Sequence, residues 1–253
     1  MIQSIIGTSF IGGGYNPPVT NFDITANWSL TIPPVVDASS FQTFLLSGQD
    51  GQGNTNNLGG VIVNDFLLEG NRLRCNVSGS GSVLFLTNMG ITDITSFGNL
   101  QVNNLIMYQN SVTSVDDTVW PINILQITII QNNISSVDNV VWPSSLILLG
   151  LGFNPISVFN PINPLPSGLQ YLDFRYTQIN TFNPTLPLPN SLTSLDLGFS
   201  QMTTAGYTAS EPWANAMSVI PGRGNIKFNN TPNSVSGTNL QTILLAKGWT
   251  VTT

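Results

Sequence analysis

The sequence contains no histidine, one cysteine, two glutamates (Glu69 and Glu211) and six basic residues among 253. Without histidine there is no Ser-His-Asp or Cys-His nucleophile machinery and no histidine metal site. A lone cysteine, Cys75, excludes a disulfide within the chain and reads as a small apolar residue. Charged residues make up 7% of the chain, where about 25% is usual. The basic residues Arg72, Arg74, Arg175, Arg223, Lys227 and Lys247 are scattered and the net charge is −6. No basic stripe can follow a phosphate backbone, which argues against nucleic acid as a partner. No run of about 20 apolar residues is present, so no membrane insertion is expected. The start, Met1-Ile-Gln-Ser-Ile-Ile, lacks the basic segment of a secretory signal. A protein with this start that acts outside a cell is expected to leave by another route.

Amides and hydroxyls take the place of charge. Asn, Ser, Thr and Gln dominate the polar positions, so few groups titrate and few are screened by salt. Such a surface suits an uncontrolled external environment.

The strongest feature is an internal repeat, L-x-x-L-x-L-x-x-N-x-L. Its clearest copies are Leu169-x-x-Leu172-x-Phe174-x-x-Thr177-x-Ile179 and Leu192-x-x-Leu195-x-Leu197-x-x-Ser200-x-Met202. Further copies begin at Leu146, Ile124 and Val102, a weaker one at Gly81, and an early one runs from Val63 to Leu73. Successive starts are 18, 21, 22, 22, 23 and 23 residues apart. A second apolar column, Ile94, Val115, Val137, Phe159 and Phe182, keeps step with them. This is the leucine-rich repeat pattern.

The fold class expected is therefore a leucine-rich repeat solenoid. Each L-x-L forms a short strand of a concave parallel sheet, and each coil buries its apolar side chains against its neighbours. Asn71, Asn110, Asn132 and Asn154 should form an amide ladder, weakened at Thr177 and Ser200. Pro121, Pro143, Pro166 and Pro189 precede successive strands, which predicts extended or polyproline-like backs with few helices. Trp120 and Trp142, at equivalent places beside two of these prolines, read as stacked plugs. Asp116-Asp117 reads as a solvated turn on one back.

Three segments follow. Residues 1–62, with Gly12-Gly-Gly14, Pro17-Pro18 and a polar loop from Gln49 to Asn57, form an N-terminal cap or attachment segment. Residues 63–202 form a solenoid of about seven repeats. Residues 203–253 form a C-terminal α/β cap: a helix over Ala205–Val219 with Pro212 near its first turn, a strand over Asn225–Phe228, a helix over Thr238–Lys247 and a strand from Trp249.

Recognition in a solenoid falls by default on the concave face. Its chemically richest part carries Phe153, Tyr171, Tyr176 and Phe199 around Asp173, Asp196 and Arg175. Aromatic faces beside carboxylates and a guanidinium suit sugar rings or a protein loop. Arg175 pairing with both aspartates, with the rings shielding the sheet, is the purely structural alternative. Asp173 and Asp196 share a column on adjacent strands, about 4.8 Å apart. That spacing also admits a retaining-glycosidase pair or a calcium site, but neutralisation by Arg175 is simpler. No catalytic residue, metal ligand or cofactor is assigned. The sequons at Asn27, Asn76, Asn133 and Asn229 are what chance supplies in such a composition.

The repeats resemble extracellular leucine-rich repeat proteins. Gly70-Asn-Arg-Leu-Arg-Cys-Asn76, Phe159-Asn-Pro161, Phe182-Asn-Pro184 and Leu245-Ala-Lys-Gly-Trp-Thr-Val251 resemble a narrower group, the leucine-rich repeat proteins of phages infecting Bacteroidetes-type bacteria and of those bacteria. The resemblance covers roughly residues 63–253. It implies a non-enzymatic protein on the virion exterior, a tail fibre, receptor-binding or decoration protein. Its partners would be other virion proteins, through residues 1–62, and a host-surface glycan or protein; a homo-oligomer is compatible with this. A secreted or cell-surface bacterial adhesin is the alternative, and a polysaccharide-degrading enzyme a more distant one.

Overall fold

The computed structural model describes residues 23–28, 62–69, 72–78, 80–86, 91–97 and 101–253. In chain order the strands are β1 (Asp23–Trp28), β2 (Ile62–Glu69), β3 (Arg72–Ser78), β4 (Ser80–Phe85), β5 (Ile91–Ser96), β6 (Gln101–Tyr108), β7 (Gln126–Ile130), β8 (Leu148–Gly150), β9 (Tyr171–Asp173), β10 (Ser194–Asp196), β11 (Gly224–Lys227) and β12 (Trp249–Thr252). Helices α1 (Thr204–Ala216) and α2 (Asn239–Ala246) connect the last three strands. Among the described residues no helix is long and apolar enough to cross a membrane.

Eight strands form one open sheet, ordered β12-β11-β10-β9-β8-β7-β6-β4, with every pair parallel. The alternation of each L-x-L turns two side chains inward and leaves the residue between them outward. Register then aligns the inward residues: Leu105 lies opposite Ile127, Ile127 opposite Leu149, Leu149 opposite Leu172, and Leu172 opposite Leu195. All five are buried. Behind them Phe159 and Phe182 stack at 5.6 Å, and Trp213 of α1 closes edge-on against Phe182 at 4.8 Å.

Where each strand ends, an asparagine amide joins two neighbouring segments. Asn132 accepts from the Val112 N–H at 3.2 Å and donates to the Met107 and Ile130 carbonyls at 3.2 and 3.0 Å. Asn110 and Asn154 repeat the arrangement. At Thr177 and Ser200 a hydroxyl donates to the carbonyl three residues back instead. On the opposite side Phe97, Trp120 and Trp142 stack at 5.9 and 5.4 Å, and Leu165 and Leu188 are also buried.

The prolines do more than extend the backs. The carbonyls of Pro121, Pro143, Pro166 and Pro189 accept from the N–H three residues on, so each opens a tight turn into the next strand. The chain also turns at Asp116-Asp117, with Thr118 N–H bonded to the Val115 carbonyl.

Two expectations need correction. The parallel sheet begins at Ser80 and not at Val63. The early repeat copy instead forms β2 and β3, paired antiparallel in a second sheet ordered β2-β3-β1-β5. Glu69 lies opposite Arg72, so only Gly70-Asn71 separates the strands, and that dipeptide favours a hairpin. The strands of residues 203–253, β11 and β12, extend the repeat strands' own sheet. Second, Pro212 lies in the interior of α1 and not in its first turn. The Thr203 side chain caps α1 by accepting from the Gly206 N–H, which places the start eight residues upstream of the proline. Of residues 1–62, β1 and residue 62 are described; the rest of the expected attachment segment lies outside the described residues.

Candidate functional site

The outward residues of the sheet line up as the inward ones do. Thr128, Gly150, Asp173, Asp196 and Lys227 occupy one column on five successive strands. This register brings two carboxylates and a lysine side by side. Arg175, two residues beyond Asp173, completes the group.

The charges are paired throughout. Arg175 Nε lies 3.0 Å from both oxygens of Asp173, and Nη2 lies 2.8 Å from Oδ2. Asp173 Oδ1 also accepts from the Arg175 backbone N–H at 2.8 Å. Asp196 Oδ1 accepts from Gly198 N–H at 3.0 Å, while its Oδ2 meets Lys227 Nζ at 3.2 Å and Arg175 Nε at 3.9 Å. The hydrogen bond to Asp173, helped by the charges of Asp173 and Asp196, raises the Arg175 guanidinium above its ordinary value against partial burial. Arg175 thus engages both oxygens of Asp173, while on Asp196 the two cations share Oδ2 and Oδ1 takes a backbone N–H.

The cations are half-exposed and the carboxylates are not: the Arg175 and Lys227 side chains are 45% and 43% exposed, those of Asp173 and Asp196 21% and 10%. Lys227→Met takes the nearer cation from a carboxylate largely withdrawn from water and leaves it Arg175 at 3.9 Å. A loss of about 1–3 kcal/mol in urea titration is expected. No measurable loss would mean that solvent screens the pair as at an open surface.

A groove of about 320 Å³ lies over this column. Its walls include Tyr108, Ile130, Leu148 and Tyr171, with Asp173, Arg175, Asp196 and Lys227 at one end.

The seven candidate residues from the sequence divide into two sets. Tyr171, Asp173, Arg175 and Asp196 line the groove. Phe153, Tyr176 and Phe199 lie beyond its lining and form a ladder at the strand ends. Each has a left-handed backbone with φ of 56°, as do Gln109, Gln131 and Asn230 at or near the same angle. That conformation costs a bulky residue about 1–2 kcal/mol. Stacking compensates: Phe153 and Tyr176 are 4.1 Å apart at 19°, Tyr176 and Phe199 4.1 Å apart at 10°. The three rings cover the faces they turn toward one another, and Phe153 and Tyr176 remain 39% and 43% exposed.

Lys227, Tyr108 and Gly150 belong to the groove but were not singled out as site residues. Lys227 was within reach: placing the strand at 225–228 in register with β10 puts it beside Asp196. No protein-family model matches the sequence, and no curated protein matches it either.

A second cavity, of about 290 Å³, is lined by Pro187, Trp213, Met217 and Arg223 among others. Burial lowers the Arg223 guanidinium below its ordinary value. Its Nη1 and Nη2 donate to the Ser218 and Pro189 carbonyls, its Nε is buried without a hydrogen-bond partner, and its Cζ lies 4.9 Å from the Trp249 ring centre. Lys247 joins it at the end of α1 by donating to the Asn215 and Met217 carbonyls. Lys247 thus satisfies the negative end of that helix.

Proposed function

We propose that this chain is a leucine-rich repeat solenoid on the exterior of a phage particle, a non-enzymatic protein that engages a host-surface glycan or protein through its concave sheet face. The solenoid reading is supported by the repeat spacing of 22–23 residues, which coincides with the alignment of Ile127, Leu149, Leu172 and Leu195 on adjacent strands. The recognition reading is carried by the groove, where the ion cluster of Asp173, Arg175, Asp196 and Lys227 is held in register across three adjacent strands at one end of an open hollow. The non-enzymatic reading is supported by the engagement of both carboxylates with Arg175 and Lys227. Residues 1–62 are the segment we assign to attachment within the particle.

The test is binding of the purified protein to intact cells of a Bacteroidetes-type host. Saturable binding, weakened about tenfold or more in Asp173→Ala and Tyr171→Ala, is the expected result. Tyr176→Ala reports separately on the ring ladder. Absence of binding, with the protein still found in purified particles, would make it a decoration component. Binding to cells by a protein never found in particles would favour a bacterial adhesin.

A further inference from the structure

The groove has a shape and a charge balance that select among ligands. Gly150 is the one residue without a side chain in the column Thr128, Gly150, Asp173, Asp196 and Lys227, and the groove lies above it. Two anions and two cations line it, and each is paired within 4.0 Å. An anionic ligand would meet the Lys227 ammonium only beside the Asp196 carboxylate 3.2 Å from it, and a cationic ligand would meet Asp196 only beside Lys227 and Arg175. Either faces a like charge that an uncharged ligand does not.

A hydroxyl faces no such repulsion. An ionised carboxylate has about four lone-pair sites for donors, and an ammonium has three N–H bonds. Arg175 takes two on each oxygen of Asp173, whereas Asp196 accepts one hydrogen bond on each of its oxygens. Lys227 uses one of its three N–H bonds toward Asp196. A polyol can therefore donate to Asp196 and accept from Lys227 with the ion pairs intact. The apolar requirement is met by Tyr171, 46% exposed, together with Leu148 and Ile130. Among the described residues Tyr171 stacks on no other ring, in contrast to Phe153, Tyr176 and Phe199. Its face is open to a ligand. The volume of about 320 Å³ is at the small end of ligand pockets.

We infer that the groove over Gly150 binds one uncharged pyranose unit of a surface glycan, with Tyr171 against its C–H face and Asp196 and Lys227 reading its hydroxyls. This rests on the reading of the sheet face as a recognition surface.

Gly150→Val is the decisive variant. A Cβ there would lie 3.4 Å from Thr128 Cγ2 and 3.5 Å from Oγ1, ordinary contact distances. Valine suits a strand, so the variant should fold at least as well as the parent while filling the groove. The probes are the methyl pyranosides of glucose, galactose and mannose, with methyl glucuronoside as the charged counterpart, titrated into the full chain and followed by NMR. At least one neutral glycoside should bind with a Kd of order 1 mM. The glucuronoside should bind about tenfold more weakly or worse, and Gly150→Val should weaken the neutral glycoside about tenfold or more.

The assignment is overturned if no neutral glycoside saturates below about 50 mM, if the glucuronoside binds as tightly, or if Gly150→Val binds like the parent. Cell binding separates the two readings. A parent and a Gly150→Val variant that both bind cells equally would overturn the pyranose site and leave the recognition reading standing. Glycoside binding without cell binding would support the site and remove its assignment to host attachment.

Discussion

Asn154→Ala is expected to destabilise the protein by about 3–5 kcal/mol, measured as a lower urea midpoint at unchanged slope. The side chain is 2% exposed and makes four hydrogen bonds. Its Oδ1 accepts from the Ile134 N–H at 3.1 Å, and its Nδ2 donates to the Ile129, Leu151 and Gly152 carbonyls at 2.7, 3.0 and 3.2 Å. Two of these partners belong to the preceding segment, so the amide joins neighbours as well as ending its own strand. Truncation leaves buried backbone groups without partners, at about 1–3 kcal/mol each before relaxation. Asn154→Ser should lose less, since Ser200 at the equivalent place keeps one bond, to the Leu197 carbonyl at 2.6 Å. A loss below about 1 kcal/mol for the alanine variant would remove the amide ladder as a principal stabiliser.

Gly206→Ala is the second large effect, and its sign runs against helix propensity. Glycine to alanine inside a helix normally stabilises by about 1 kcal/mol. Gly206 is buried in the first turn of α1, and an added Cβ would overlap the Asn180 carbonyl oxygen and sit 3.0 Å from its carbon. Relief requires α1 to move away from the segment beneath it. That movement would stretch the bonds from the Phe182 N–H to Ser210 Oγ at 2.9 Å and from the Trp213 N–H to Asn183 Oδ1 at 3.1 Å. It would also part the Phe182 and Trp213 rings. We expect a loss of about 3 kcal/mol, read as a fall in Tm. Gly168→Ala, whose Cβ would meet nothing within 4 Å, is the control. A Tm at or above the parent value for Gly206→Ala would mean that α1 does not pack on Asn180.

Much of the architecture was legible because it depends on local periodicity. Alternation around each L-x-L assigns inward and outward residues without reference to any neighbour. A constant spacing then aligns like with like, which is how Asp173 falls beside Asp196 and Trp120 beside Trp142. The copy at Val63 misled for a related reason. Its apolar positions satisfy the repeat, but they satisfy a hairpin across Gly70-Asn71 equally well, and pairing chose the hairpin.

The ring ladder and the groove show where such reasoning stops. A sequence column places Phe153, Tyr176 and Phe199 together but does not say whether their faces meet a ligand or one another. The left-handed backbone at each, and the 4.1 Å stacking that follows, is a property of the assembled strand ends. By itself, then, the sequence determined the parallel strands from residue 80 onward, their buried face, the amide ladder of Asn110, Asn132 and Asn154 (Asn71 lies outside the described residues) and the juxtaposition of the two aspartates, since all follow from short-range periodicity and a constant spacing. Only the tertiary structure decided that the Lys227 ammonium comes within 3.2 Å of Asp196 to complete a neutral ion cluster, and that Tyr171 lines the groove while the other three candidate rings stack on one another beyond it. Those outcomes depend on register between separate strands and on side-chain packing, which no local pattern encodes.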